Sequence, residues 1–218
     1  MKRSALLLIL LTISPLLAQN LQINYDFGEG RKFFTSTLEM YKPDDWGATF
    51  WFVDMDYNTT GNRSVSLTYW EIARYIKIPK LGKLSATVQY NDGYAPWGSL
   101  GQVWLGGVSH PLNLGFITLP VDLLYRSMYG SDSPDFQVTV VFFKSFLNDK
   151  LTLTGFVDVW TQDKAAEDGK NIVFLTEPQL WYNVWQNLHL GGEIEFSYHF
   201  LPSDKFEIMP TLGMKWNF

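Results

Sequence analysis

Two stretches carry residue types that could do chemistry. His189 and His199 flank Glu193 and Glu195, a set suited to metal ligation or acid–base work. Asp54-x-Asp56 repeats a carboxylate at a two-residue interval, as hydrolysis or calcium binding would ask. Spacing decides what each can do. On an extended strand the histidines lie roughly 33 Å apart and cannot share a metal. Asp54 and Asp56 stand about 7 Å apart on one face, which reads as a solvated acidic wall. No G-x-S-x-G, H-E-x-x-H or glycine-rich phosphate loop is present. The chain has no cysteine, which excludes disulfides, thiolate nucleophiles, cysteine-ligated zinc and iron–sulfur clusters. No catalytic residue, metal or cofactor is therefore assigned. A net charge of -5 argues against nucleic acid as a partner, because phosphate binding needs a basic surface.

The elements that must position these residues share a period of two. Leu21, Ile23, Tyr25 and Phe27 alternate with Gln22, Asn24 and Asp26. Val65, Leu67 and Tyr69 alternate with Ser66 and Thr68, and Leu84, Ala86, Val88 and Tyr90 with Ser85, Thr87 and Gln89. The pattern continues to the end, where Ile208, Leu212, Met214, Trp216 and Phe218 oppose Glu207, Thr211, Lys215 and Asn217. It gives about twelve strands between Leu21 and Phe218, separated by turn signals such as Pro43-Asp44-Asp45, Thr60-Gly61-Asn62 and Asn148-Asp149. The pattern is faintest over Phe33–Met40, Leu100–Val108 and Ile172–Trp181. Met1-Lys2-Arg3, an apolar run from Ala5 to Leu17 and the small Ala18 have the order of a secretory signal peptide cleaved after Ala18. That leaves one domain, residues 19–218, behind a leader of residues 1–18.

An alternating strand ordinarily buries its apolar face and wets the other, as in a secreted sandwich or lipocalin-like barrel. Here the other face is poor in lysine and mixes Ser, Thr, Asn, Gln, Asp and Glu with large aromatics. The apolar face places Tyr25, Phe27, Tyr57, Tyr90, Tyr125, Tyr198, Trp216 and Phe218 at strand ends, as an interfacial girdle does. The expected fold is therefore all-β, a transmembrane antiparallel up-and-down barrel with its apolar side toward outer-membrane lipid. Strand parity puts the Leu147–Lys150 turn on the periplasmic side and the Gln162–Asn171 loop outside. Candidate solute-binding residues on the lumen face are Phe50, Phe52, Asp54, Asp56, Trp70, Glu71, Arg74, Asp122, Arg126, Phe156, Asp158, Trp160, Glu177, Trp181, Glu193 and Glu195.

Trp46-Gly47-Ala48-Thr49-Phe50-Trp51-Phe52-Val53-Asp54-Met55-Asp56 resembles the nucleoside-specific channel-forming outer-membrane proteins, the Tsx-like family. Leu67–Lys77, Glu177–Phe200 and the Lys215–Phe218 end support the resemblance. It implies a narrow monomeric channel through which nucleosides diffuse passively. Trp216 and Phe218 also resemble the closing-strand signal of bacterial outer-membrane proteins, which implies recognition by the barrel-assembly machinery. Two other readings stay open: a structural or ligand-binding barrel plugged by its own aromatics, and a membrane-barrel enzyme.

Overall fold

Ribbons that are apolar on one side and polar on the other are left with unpaired backbone at each edge. Closing the sheet on itself removes those edges. In the computed structural model, which describes residues 19–57, 64–164, 168–200 and 204–218, the chain closes as a twelve-stranded antiparallel barrel. The leader and the Thr60-Gly61-Asn62 turn lie outside the described residues. In chain order the strands are β1 (Gln19–Asp26), β2 (Phe34–Asp44), β3 (Gly47–Tyr57), β4 (Val65–Lys77), β5 (Ser85–Ala95) and β6 (Val103–Asn113). They continue with β7 (Thr118–Met128), β8 (Asp135–Phe146), β9 (Leu151–Asp163), β10 (Lys170–Thr176 and Gln179–Trp185), β11 (Leu188–Tyr198) and β12 (Phe206–Asn217). A two-residue bridge, Gly98–Ser99, extends the end of β5. Each strand pairs with its sequence neighbours. β12 returns to β1, with Leu21 opposite Trp216 and Ile23 opposite Met214. The terminal Phe218 N–H donates to the Gln19 carbonyl at 2.9 Å, so the last residue is part of the seam.

The three faintly patterned stretches are strands. The most irregular is β10, which breaks at Glu177 and Pro178. Proline lacks the N–H a ladder needs, so pairing lapses there and resumes after it. Gly155 of β9 faces the break, and a side chain at that position would overlap the Glu177 carbonyl.

Connections 45–46, 78–84, 114–117, 147–150 and 186–187 lie at the end that carries both termini, called here the terminus end. The opposite, loop end carries connections 27–33, 96–102 and 129–134 together with the strand ends Tyr57 and Val65, Asp163 and Lys170, and Tyr198 and Phe206. The Leu147–Lys150 turn and the strand ends Asp163 and Lys170 therefore fall at opposite ends, as strand parity requires. Gln162, Asp163, Lys170 and Asn171, expected in a loop, are paired strand residues, and 165–167 lie outside the described residues. Exposed aromatics band the outside near both ends. Phe27, Phe34, Trp104, Tyr125, Phe136 and Phe206 ring the loop end, and Trp46, Phe116, Trp185 and Phe218 the terminus end. Apolar residues between them, such as Ile72, Val88, Leu123, Leu180 and Leu212, face outward. This outer surface suits hydrocarbon flanked by interfacial girdles.

One face reverses the sequence expectation. At the loop end of β3 and β4 the register shifts: Tyr57 pairs with Val65, but Asp56 pairs with Leu67. Ser66 is the extra residue, its hydroxyl bonded to the Asp56 carbonyl. A bulge of this kind changes which face the following residues occupy. Beyond it Leu67, Tyr69, Glu71, Ala73 and Tyr75 share the lumen side with Asp56, Asp54, Phe52, Phe50 and Ala48. Trp70 and Arg74 pair with Val53 and Thr49 on the outer side. They are not lumen residues, and Leu67 and Tyr69 are.

Candidate functional site

The inward side of the barrel has two textures. One is packed. Val103, Leu105 and Leu124 form one closed apolar cluster with Met128 against it, and Trp160, Val173 and Leu175 form another with Phe156 against it. Trp181, fully buried, fills the space by β10 and β12. Each tryptophan N–H is used locally: Trp160 donates to Gln162 at 3.1 Å and Trp181 to Gln179 at 2.9 Å. Both also cover a cation. The Arg126 guanidinium lies 5.6 Å from the Trp160 ring centroid, and the Lys215 ammonium 4.8 Å from that of Trp181. Cation–π contact of this kind holds both strand-borne charges against the wall.

The other texture is partly accessible to water. Phe50, Phe52, Asp54, Asp56, Tyr69, Glu71 and Tyr75 of β3 and β4 are all partly accessible. So are Phe156 and Asp158 of β9, and Glu177 and Glu193. Toward the terminus end, Phe143 is 62% exposed on the lumen side of β8. Rings run along the β3–β4 wall, with centroids 5.9 Å apart from Phe50 to Phe52 and 5.9 Å from Phe52 to Tyr69. The carboxylates between them are held by neighbours on adjacent strands. Thr37 donates to Asp54, Tyr69 and Asn91 to Glu71, and Gln179 to Glu193. Tyr75 at 2.9 Å and Gln89 at 3.0 Å reach Asp122 from β4 and β5.

Acids dominate this wall. Asp54 lies within electrostatic range of Glu193, Asp56 and Glu71. Glu177 is in range of Glu193, Glu195 and Asp54, which joins β3 to β10 and β11 across the interior. Asp158 is in range of Glu71 and Asp122. One of its oxygens is buried without a hydrogen-bond partner among the described residues.

Of the sequence candidates, the fold gathers Phe50, Phe52, Asp54, Asp56, Glu71, Glu177, Glu193 and Glu195 with Phe156 and Asp158. It places Asp122, Arg126, Trp160 and Trp181 in or beside the packed texture. Trp70 and Arg74 are on the outside, where Arg74 reaches along the barrel to the carboxylate of Asp44 at the β2–β3 turn, 3.0 Å from one guanidinium nitrogen. The two histidines occupy opposite ends of β11: His189 sits beside Asn183 and Asn217, and His199 beside the Ile172 carbonyl.

Three site residues escaped the sequence reading. Tyr69 and Tyr75 did so because of the bulge. The third, Arg31, lies in the 27–33 connection, where no period operates. Its guanidinium turns inward to Asp26 at 3.0 Å and Glu195 at 2.9 Å. Burial alone would lower the Arg31 pKa, but Glu195 and Asp26 outweigh it and hold the group above its ordinary value. Arg31 therefore stays charged at every physiological pH.

Residues 18–218 match the family described as a domain of unknown function, DUF5020. No curated protein matches the chain. Among solved structures the fold is similar to NanC porin, with TM-score 0.58 at 10% identity over 92% of this chain and 100% of that one. It is also similar to KdgM porin, with TM-score 0.54 at 8% identity over 91% of this chain and 99% of that one. A KdgM porin in complex with disordered oligogalacturonate aligns with TM-score 0.52 at 9% identity over 92% of this chain and 98% of that one.

Proposed function

Since the chain belongs to the DUF5020 family and folds as outer-membrane porins do, we propose that it is a passive outer-membrane channel for small neutral solutes, nucleosides among them. One observation carries this reading. The water-reachable wall combines aromatic rings with a majority of carboxylates; Arg126, on the Trp160 face, lies within electrostatic range of Glu71 and Asp158, and Lys215 lies on the Trp181 face. Phe50, Phe52, Tyr69 and Phe156 offer flat surfaces to a base, each stack contributing ~1–3 kcal/mol. Asp54, Glu71, Asp158 and Glu193 accept hydrogen bonds from sugar hydroxyls. Twelve strands fall between barrels filled by their own side chains and barrels with wide channels, a width suited to one small molecule at a time. Weak contacts in series allow a solute both to bind and to leave.

Charge sets the limit on cargo. Oligogalacturonate, the ligand in the KdgM complex, is a polyanion. The acidic wall here repels such a chain and also repels nucleotides. Within the same reading the protein acts as a monomer, and the β12 strand ending in Trp216 and Phe218 engages the barrel-assembly machinery before it pairs with β1.

Liposome swelling with purified, refolded protein tests the proposal. Uridine and adenosine should enter, while their 5′-monophosphates and oligogalacturonate should be excluded. Equal rates for nucleoside and nucleotide would refute the charge argument. No swelling with any solute would favour the barrel plugged by its own aromatics.

A further inference from the structure

The 27–33 connection does not project away from the barrel. Its ends are pinned: the Asp26 N–H donates to the Phe33 carbonyl at 3.0 Å and the Phe27 N–H to the Pro210 carbonyl at 2.9 Å. Inside it, the Gly28 N–H donates to the Asp26 carboxylate at 2.7 Å and the Arg31 N–H to the Gly28 carbonyl at 3.1 Å. Gly30 takes φ 75°, a left-handed turn that glycine adopts without strain, and this folds the segment back over the mouth. Arg31 then reaches from the β1 side to Glu195 on β11, with β12 lying between them. Two strand spacings are roughly 10 Å, so the side chain lies across this part of the loop-end mouth. Asp56 and Glu177 are also within its electrostatic range. Arg31 pairs directly with two of these carboxylates, Asp26 and Glu195, and lies within range of the other two.

We infer that Arg31 is a selectivity-setting residue of the loop-end mouth, a loop-borne cation that offsets Asp26, Asp56, Glu177 and Glu195 where solutes come in. This rests on the reading of the barrel as a passage. An unbalanced cluster of carboxylates would hold inorganic cations and organic amines at the mouth and slow neutral solutes behind them. With the guanidinium in place the acidic excess at the mouth is reduced by one charge, and the deeper aromatic and acidic wall governs the cargo. The Asp26 and Glu195 pairs give two anchors on different strands, so the charge is fixed in position and does not sweep the opening.

The chain has no cysteine, so Arg31→Cys introduces a unique thiol into an assembled barrel, and charge can be added back after folding. The readout is the reversal potential of single channels in a KCl gradient. Arg31→Cys should be severalfold more selective for K⁺ over Cl⁻ than the natural protein. A trimethylammonium methanethiosulfonate should return the reversal potential toward the natural value, and a sulfonate reagent should move it further away. Arg31→Lys should stay near the natural protein. Spermine added on the loop side should block Arg31→Cys at lower concentration than the natural channel. Conducting channels whose reversal potential ignores both reagents would overturn the role of Arg31 alone. An absence of conductance in every form, the natural protein included, would overturn the passage and this inference together.

Discussion

On one side of the interior Val103, Leu105, Leu124, Val173, Trp160 and Trp181 are closed to water; on the other, Phe50, Phe52, Asp54, Tyr69 and Glu71 are reached by it. Both sides use aromatics and charges. They differ in what the charges touch. Arg126 and Lys215 lie on rings, whereas Asp54, Glu71 and Glu193 lie among hydroxyls, amides and one another. Buried aromatics that cover cations tie strands together and fix where the positive charge sits, Arg126 remaining in electrostatic range of Glu71 and Asp158. Accessible aromatics flanked by carboxylates leave a partly hydrated surface facing the lumen. Lumen position alone does not make a side chain reachable, and the interior divides into a packed wall and a reachable one.

The largest expected effect is on the packed side. Trp181→Ala empties a fully buried site and uncovers Lys215, at a cost of about 3–5 kcal/mol. The folded band in heat-modifiability gels should be lost at a markedly lower urea concentration. A midpoint unchanged from the natural protein would break the distinction. On the reachable side, Phe52→Ala should leave that midpoint nearly where it was. It should weaken nucleoside block of the ion current about tenfold, the equivalent of one stacked ring.

A smaller effect sharpens the comparison at single-residue resolution. Trp70 and Glu71 are neighbours on β4 with opposite faces. Glu71→Gln should reduce the preference for K⁺ over Cl⁻, and Trp70→Ala should leave permeation unchanged. The reverse outcome would mean that the bulge at Ser66 is misplaced. The smallest effect belongs to the outer surface. Asp44→Asn loosens an exposed pair with Arg74, and exposed pairs contribute little, so neither stability nor selectivity should move measurably.

Much of this was legible in the residues. Period-two alternation located the lumen face of β1, β3, β5, β7, β9 and β11, because an unbroken strand repeats its side every second position. It also brought Asp54, Asp56, Glu193 and Glu195 inside. It failed on β4 for a physical reason. Leu67 and Tyr69 on one face and Trp70 and Ile72 on the other are all large, so polarity does not mark the sides. The inserted Ser66 then exchanges them. Adjacent Trp70 and Glu71 could not both have faced inward, and that parity conflict was the available warning. Arg31 was beyond periodic reasoning altogether, since its position depends on a turn at Gly30 and on two carboxylates from distant strands. The packing that sets Arg126 on Trp160 likewise depends on which strands curve toward each other, which alternation does not encode.

The central claim is that a water-reachable acidic and aromatic wall runs through a barrel whose apolar face meets lipid. The most direct test is the reversal potential of single channels formed by the natural protein in a planar bilayer under a KCl gradient. The conductance should be small and discrete, with K⁺ preferred over Cl⁻. Preference for Cl⁻, or a bilayer that stays silent with the folded barrel inserted, would contradict it.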